Sequence, residues 1–335
     1  MKRNILLLLT LICHSVLIGQ TIHFSQFYNA AAMINPANTG NFDGDWRVNN
    51  IFRSQGNNLG EPYTTTMISF DKHFYYYSQQ ISGGAYFIND YSANNSLMVN
   101  KFYLTSGYQI KISENNLLLY GLQVGIVQER TTLNESTFPD QFDMSTGHFN
   151  PSLPNNEIFN GDNTLYADLA TGISWQYNKP TFRIETGGAV FQINQPKESF
   201  FGTEQNLPRK YILHGSFTKI MESNFYFNPQ LYASWLNNIS EILYGINFGY
   251  DLAQKNKLST IYTAFYIRNG FDQNYDSAIF VFGFDYDNWN YCVSYDYDIS
   301  GLRIASSRSN AFELSVTYTR PSTRIKKSTI PCERY

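Results

Sequence analysis

The sequence predicts an all-β, transmembrane antiparallel barrel of the outer-membrane type, with about fourteen strands, long loops at one end and both termini on the periplasmic side. Three observations carry that expectation. The first is composition: 26 Tyr, 26 Phe and 4 Trp make the chain 17% aromatic, while only 15% is charged, against about 25% in soluble domains. Mean hydropathy is nonetheless −0.33. A disordered chain would lack the aromatics. A helical membrane protein needs runs of about 20 apolar residues, and none occurs after residue 20. A net charge of −3 argues against a nucleic-acid partner. A membrane barrel suits the combination, because its lipid face is apolar, its aromatics band at the interfaces and its lumen is polar. The second observation is a period-two pattern, and the third is an alternation of short and long connections.

Residues 1–20 read as a Sec signal peptide. Lys2 and Arg3 form the positive start, and a broken apolar run from Ile5 to Ile18 follows. Cleavage is expected beside Gly19 or Gln20. Cys13 falls within this segment, and bulky Ile12 before it speaks against a lipoprotein site. Cys292 and Cys332 then remain, which is neither a disulfide framework nor a zinc pattern. Residues 21–44 form a leader before the first strand, residues 45–320 the barrel, and residues 321–335 a basic tail.

Strands are expected at 45–55, 64–73, 79–90, 97–112, 116–129, 163–177, 180–194, 209–220, 223–236, 241–251, 257–268, 276–287, 289–299 and 310–320. Twelve or sixteen strands are the alternatives. Trp289, Tyr291, Val293, Tyr295 and Tyr297 alternate with Asn290, Cys292, Ser294, Asp296 and Asp298. Phe312, Leu314, Val316 and Tyr318 alternate with Glu313, Ser315 and Thr317. Such alternation puts one set on each face of a strand. The polar face is mostly Asn, Gln, Ser, Gly and Thr rather than the Lys and Glu of a soluble sandwich. The segments also match the 9–11 or so residues that a tilted membrane strand needs.

The connections check this count. Even-numbered ones include 113–115, 178–179, 221–222 and 288, while the odd ones include 130–162, 195–208 and 300–309. Short periplasmic turns and long outer loops are the usual asymmetry of these barrels.

Several stretches resemble one family. His23-Phe24-Ser25-Gln26-Phe27-Tyr28 and Met33-Ile34-Asn35-Pro36-Ala37-Asn38-Thr39-Gly40 are similar to the opening of the PorP/SprF proteins of type IX secretion and gliding in Bacteroidetes. So are Arg53-Ser54-Gln55, Ser69-Phe70-Asp71, Gly121-Leu122-Gln123-Val124-Gly125, Leu207-Pro208-Arg209-Lys210-Tyr211, Asn228-Pro229-Gln230-Leu231, Ser294-Tyr295-Asp296-Tyr297-Asp298 and the tail around Cys332. The resemblance covers essentially the whole chain after the signal. Departures are Gly56, where a Trp is usual, and Phe312, where a His usually precedes the Glu. The resemblance implies a non-enzymatic outer-membrane component that supports export or surface attachment of cargo with a C-terminal sorting domain, such as gliding adhesins. It also implies contact with other type IX components. The alternatives are a passive channel or small-hydrophobe transporter, and a purely structural anchor of the periplasmic ring.

Catalytic chemistry finds no support in the sequence. His14, His23, His73, His148 and His214 have no metal-ligand spacing, and no G-x-S-x-G, P-loop or H-E-x-x-H occurs. No cofactor or metal is called for. Four other groups are candidates for function. In the leader, Phe24, Ser25, Gln26, Asn35, Pro36 and Gly40 either fold into the lumen, meet a periplasmic partner, or pack beneath the barrel floor. Arg53, Asp71, Arg183, Glu185, Asp285, Asp296, Asp298 and Glu313 fall on polar faces. A lipid-facing Arg or Lys costs about 2–4 kcal/mol near the midplane, so these should face the lumen as a network or a binding ring. The long loop carries Phe138, Phe142, Phe149, Ile158 and Phe159, and the next carries Phe200 and Phe201. These either plug the mouth, meet cargo, or pack on themselves. In the tail, Arg324, Lys326 and Lys327 either bind an acidic partner or cell-wall polymer or are solvated, and Cys332 is a candidate to pair with a cysteine of a partner.

Overall fold

The computed structural model describes residues 22–56, 62–76, 79–92, 97–131, 139–144, 146–150, 152–153, 163–198, 205–237, 239–252, 257–270, 274–301 and 310–323. Fourteen strands close into one antiparallel barrel. They are β1 (Trp46–Gln55), β2 (Tyr63–Tyr76), β3 (Gln79–Ser92), β4 (Leu97–Lys111), β5 (Asn116–Thr131), β6 (Asn163–Lys179) and β7 (Phe182–Phe191). The others are β8 (Lys210–Ile220), β9 (Phe225–Leu236), β10 (Ile239–Asp251), β11 (Leu258–Gly270), β12 (Asn274–Tyr286), β13 (Trp289–Asp298) and β14 (Ala311–Arg320). Each pairs with the next, and β14 pairs with β1 from Trp46↔Arg320 to Gln55↔Ala311. Closure removes the exposed strand edges that a flat sheet would present to lipid.

The count matches the expectation of about fourteen, and most boundaries fall within two residues of those read from the sequence. β2 runs three residues further than expected. β7 stops short of the expected 194, because Gln192 and Gln195 take left-handed φ values of 55° and 43°. Those values break the extended backbone that a ladder requires.

An even strand number puts the start of β1, the end of β14 and the tight turns together, here named the turn end. The connections after β5, β7 and β13 lie at the opposite, loop end. Face alternation is regular. On β5, Tyr120, Leu122, Val124 and Ile126 are exposed, while Leu119, Gly121, Gln123, Gly125 and Val127 are buried. The outward residues are the apolar set, as a lipid-facing wall requires.

The inside departs from a simple polar lumen. Two apolar clusters fill it, one around Phe24 and Ala30 with Ile51, Met67, Tyr86 and Tyr103, the other around Phe27 and Ile34 with Tyr232, Leu243, Tyr266 and Ile279. Both are organised by the leader. Its 3-10 turns Phe27–Asn29 and Pro36–Asn38 flank one short helix, Ala31–Ile34.

Candidate functional site: the lumenal plug

The leader climbs the lumen. Gly40 lies beside Asp71 and Ser82 in the turn-end half, whereas Ser25 and Gln26 meet β1, β13 and β14 near the loop end. The plug therefore has two seats of different chemistry.

The lower seat is steric. The polar-face glycines of β4, β5 and β6 leave space for the backbone of residues 35–39. A Cβ at Gly121 would lie 2.1 Å from the Pro36 carbonyl carbon, and one at Gly107 would lie 2.4 Å from the Thr39 carbonyl oxygen. A Cβ at Gly172 would lie 1.9 Å from Asn35 Oδ1. Asn35 is fully buried and caps the turn that follows it, its Oδ1 accepting from Ala37 N at 2.9 Å. Its Nδ2 donates to Ile173 O at 3.0 Å and Ser174 Oγ at 3.1 Å, and lies 3.0 Å from His214 Nε2. Pro36 stands at the first position of that turn, where no N–H is needed. Gly40 takes φ +75° and donates its N–H to Asp71 Oδ2 at 2.9 Å. Asp71 in turn receives Arg47 at both oxygens, at 3.0 and 2.8 Å. Below, Phe42 stacks on His73 at 4.5 Å.

The upper seat is ionic. Glu313 accepts the backbone N–H of Ser25 at 2.6 Å and of Gln26 at 2.9 Å. Arg53 donates to Glu313 at 2.5 Å and to Asp296 at 3.1 Å. Arg268 donates to Asp296 at 3.1 Å and to Ser25 Oγ, and its Nε lies 3.4 Å from Glu241. Ser25 Oγ donates to Asp296 at 2.5 Å. The Gln26 side chain donates to Ser294 and accepts from Ser315. Removing one partner from so buried an ion pair costs several kcal/mol, so the cluster fixes the leader strongly.

The candidate charges do not form one ring. Arg53, Asp296 and Glu313 share the upper seat, and Asp71 belongs to the lower one. Arg183 and Glu185 pair at 3.1 Å beside Asn41 of the leader. Asp285 accepts from Asn290 at 2.7 Å, and Asp298 accepts from Ser300 N at 2.8 Å. Neither contact involves the leader. Phe24, Ser25, Gln26, Asn35, Pro36 and Gly40 are all buried in the lumen.

In the long loop, Phe142 and Phe149 face each other across a two-residue ribbon with ring centroids 5.1 Å apart. They remain 43% and 51% exposed. Phe138, Ile158, Phe159, Phe200 and Phe201 lie outside the described residues, as do Arg324, Lys326, Lys327 and Cys332. Cys292 faces the lumen, 3.7 Å from the Tyr28 hydroxyl.

Sequence reasoning did not single out Arg268, Arg47, Glu241, His214 or the glycine seat. The available signal was a polar-face glycine at Gly107, Gly121 and Gly172 on three consecutive strands. Among the described residues no group of three His, Cys, Asp or Glu is placed to hold a metal.

A closed barrel, lipid-facing outside and filled inside by its own leader, defines an outer-membrane barrel protein with an internal plug. The family model for the type IX secretion system membrane protein PorP/SprF matches residues 16–318, and the chain belongs to that family. No curated protein sequence matches it significantly. Among solved structures it is similar to a TodX mutant described as a monoaromatic hydrocarbon channel, with TM-score 0.51 and 11% identity over 87% of this chain and 94% of that one. The Pseudomonas putida toluene transporter TodX is similar at TM-score 0.50 and 10% identity, over 87% and 93% of the two chains. At such identities the likeness speaks for the barrel fold alone.

Proposed function

We propose that this chain is a non-enzymatic docking component of type IX secretion, supporting export or surface attachment of specific cargo with a C-terminal sorting domain, of the gliding-adhesin kind. In this reading residues 1–20 are a signal peptide and the turn end faces the periplasm. The tail beyond residue 320 meets other parts of the machinery there, and the loop end meets cargo. The observation that carries the reading past family membership is the plug. A lumen crossed by residues 22–44, with contacts to β1 at one seat and β6 at the other, suits a platform better than a solute pore. Recognition at the loop end would use side-chain and backbone contacts and no covalent chemistry.

Deleting the gene should abolish surface display of one or a few sorting-domain proteins. Unchanged display of every such protein would refute the proposal. The second reading is a channel or small-hydrophobe transporter, the function of TodX, a monoaromatic hydrocarbon channel that shares the barrel fold. Planar-bilayer recording separates the two. A platform is electrically silent, whereas a stable open conductance in the unaltered protein supports the channel.

A further inference from the structure

At the turn end of the β14–β1–β2 seam, the outer surface carries two cations on either side of one indole. Trp46 has Arg320 as its register partner on β14 and Lys72 as its register partner on β2. All three lie on the lipid-facing parity, as the exposed Phe70, Phe74 and Phe312 of the same strands show. Beside them, at the turn-end rim, opens a cavity of about 600 Å3, lined also by Asp45 and Thr323 and, from the lumen side of β2, by His73 and Tyr75.

An aromatic arc lies along the same seam. Phe70 and Tyr318 flank Trp46 with centroids 6.2 and 5.2 Å away, Trp289 is 4.8 Å from Tyr318, and Tyr291 is 6.3 Å from Trp289. Aromatic girdles mark the headgroup level of such barrels. A cation is costly deeper in the hydrocarbon but is favoured at headgroup depth beside an anionic surface. Lys72 lies 5.5 Å from the Phe74 ring, Lys257 6.0 Å from Tyr286, and Lys179 5.5 and 5.7 Å from Tyr177 and Phe182, the last of which has Lys219 as its other register partner. At Trp46 the two outward cations border one cavity. Asp45 is the opposing charge in the cavity. It is tied to Thr323, accepting its N–H at 3.1 Å and its hydroxyl at 2.9 Å.

We propose that this cavity binds the phosphate of an anionic phospholipid headgroup in the turn-end leaflet. Lys72 and Arg320 grip the phosphate, Trp46 packs beneath it, and the acyl chains run down the wall over Phe70, Tyr318 and Trp289. The site does not depend on the cargo reading, only on the barrel lying in a membrane.

The test is native mass spectrometry of the full-length barrel after incubation with vesicles of phosphatidylglycerol and phosphatidylcholine. Retention of phosphatidylglycerol is expected. Each of Lys72→Gln and Arg320→Gln should lower it about fivefold, and the double variant roughly thirtyfold. The exchange Lys72→Arg with Arg320→Lys should keep it, which separates lost charge from lost folding. Lys257→Gln should leave it unchanged. Equal retention in the double variant overturns the site, and an equal loss in Lys257→Gln reduces it to a general basic rim. Complete displacement by millimolar inorganic phosphate would make it a soluble-anion site and overturn the lipid assignment.

Discussion

The two seats of the plug hold one peptide by opposite means. The lower seat excludes side chains, so residues 35–39 lie directly on the backbone of β4, β5 and β6. The upper seat supplies charge, so Ser25 and Gln26 hang on Glu313 and on the two arginines behind it. Shape gives the lower seat its specificity, and it tolerates no added volume. The upper seat depends on a balance of buried charges, and it fails when one of them goes.

The comparison breaks most sharply at Glu313. Replacing it with Ala strips Arg53 of a buried partner and two backbone N–H groups of their acceptor, a loss of about 3–5 kcal/mol. Native-state hydrogen exchange should then rise by at least roughly a hundredfold over residues 25–29, while residues 35–41 keep their protection. A parallel rise over both stretches would show that the seats are one unit. Gly121→Ala inverts the pattern. Its methyl meets the Pro36 carbonyl, and overpacking of this kind costs about 1–3 kcal/mol, so loss of protection should centre on residues 35–41. Asn41→Ala removes the nearer of two acceptors of Gln176 Nε2, at 2.7 Å, along with the longer contacts of Asn41 to Arg183 and Glu185 at 3.3 Å. One such bond contributes about 0.5–1.5 kcal/mol, read as a several-fold rise in exchange at the foot of the plug. Asp285→Asn is the control. Its amide oxygen still accepts from Asn290, so both stretches should keep their exchange rates, with stability within about 0.5 kcal/mol.

The wall was legible in the sequence because period two reports a face residue by residue. Trp289, Tyr295, Phe312 and Leu314 point outward, and Cys292, Asp296 and Glu313 inward, as their alternation required. The plug was legible only as a segment with a family-like motif and three possible positions. Its pieces are three- and four-residue turns, too short to show periodicity, and its partners lie far away in sequence. Ser25 to Glu313 spans 288 residues. Arg268 was missed because it stands at the end of β11, where the alternation offers few neighbours to compare. The inward tyrosines mislead for a different reason. Tyr86, Tyr103, Tyr232 and Tyr266 look like interfacial aromatics by composition, yet they build the interior around Phe24 and Phe27, where a ring can be buried and its hydroxyl still bonded.

The place of Glu313 also orders events in time. It belongs to β14, the strand that closes the barrel against β1, yet it holds residues near the beginning of the chain. Closing so long a loop is entropically costly until the intervening strands have paired. The upper seat cannot exist before β14 has arrived, because Glu313 supplies its acceptor for Ser25 and Gln26. The early segment must wait, unlatched, for the final strand.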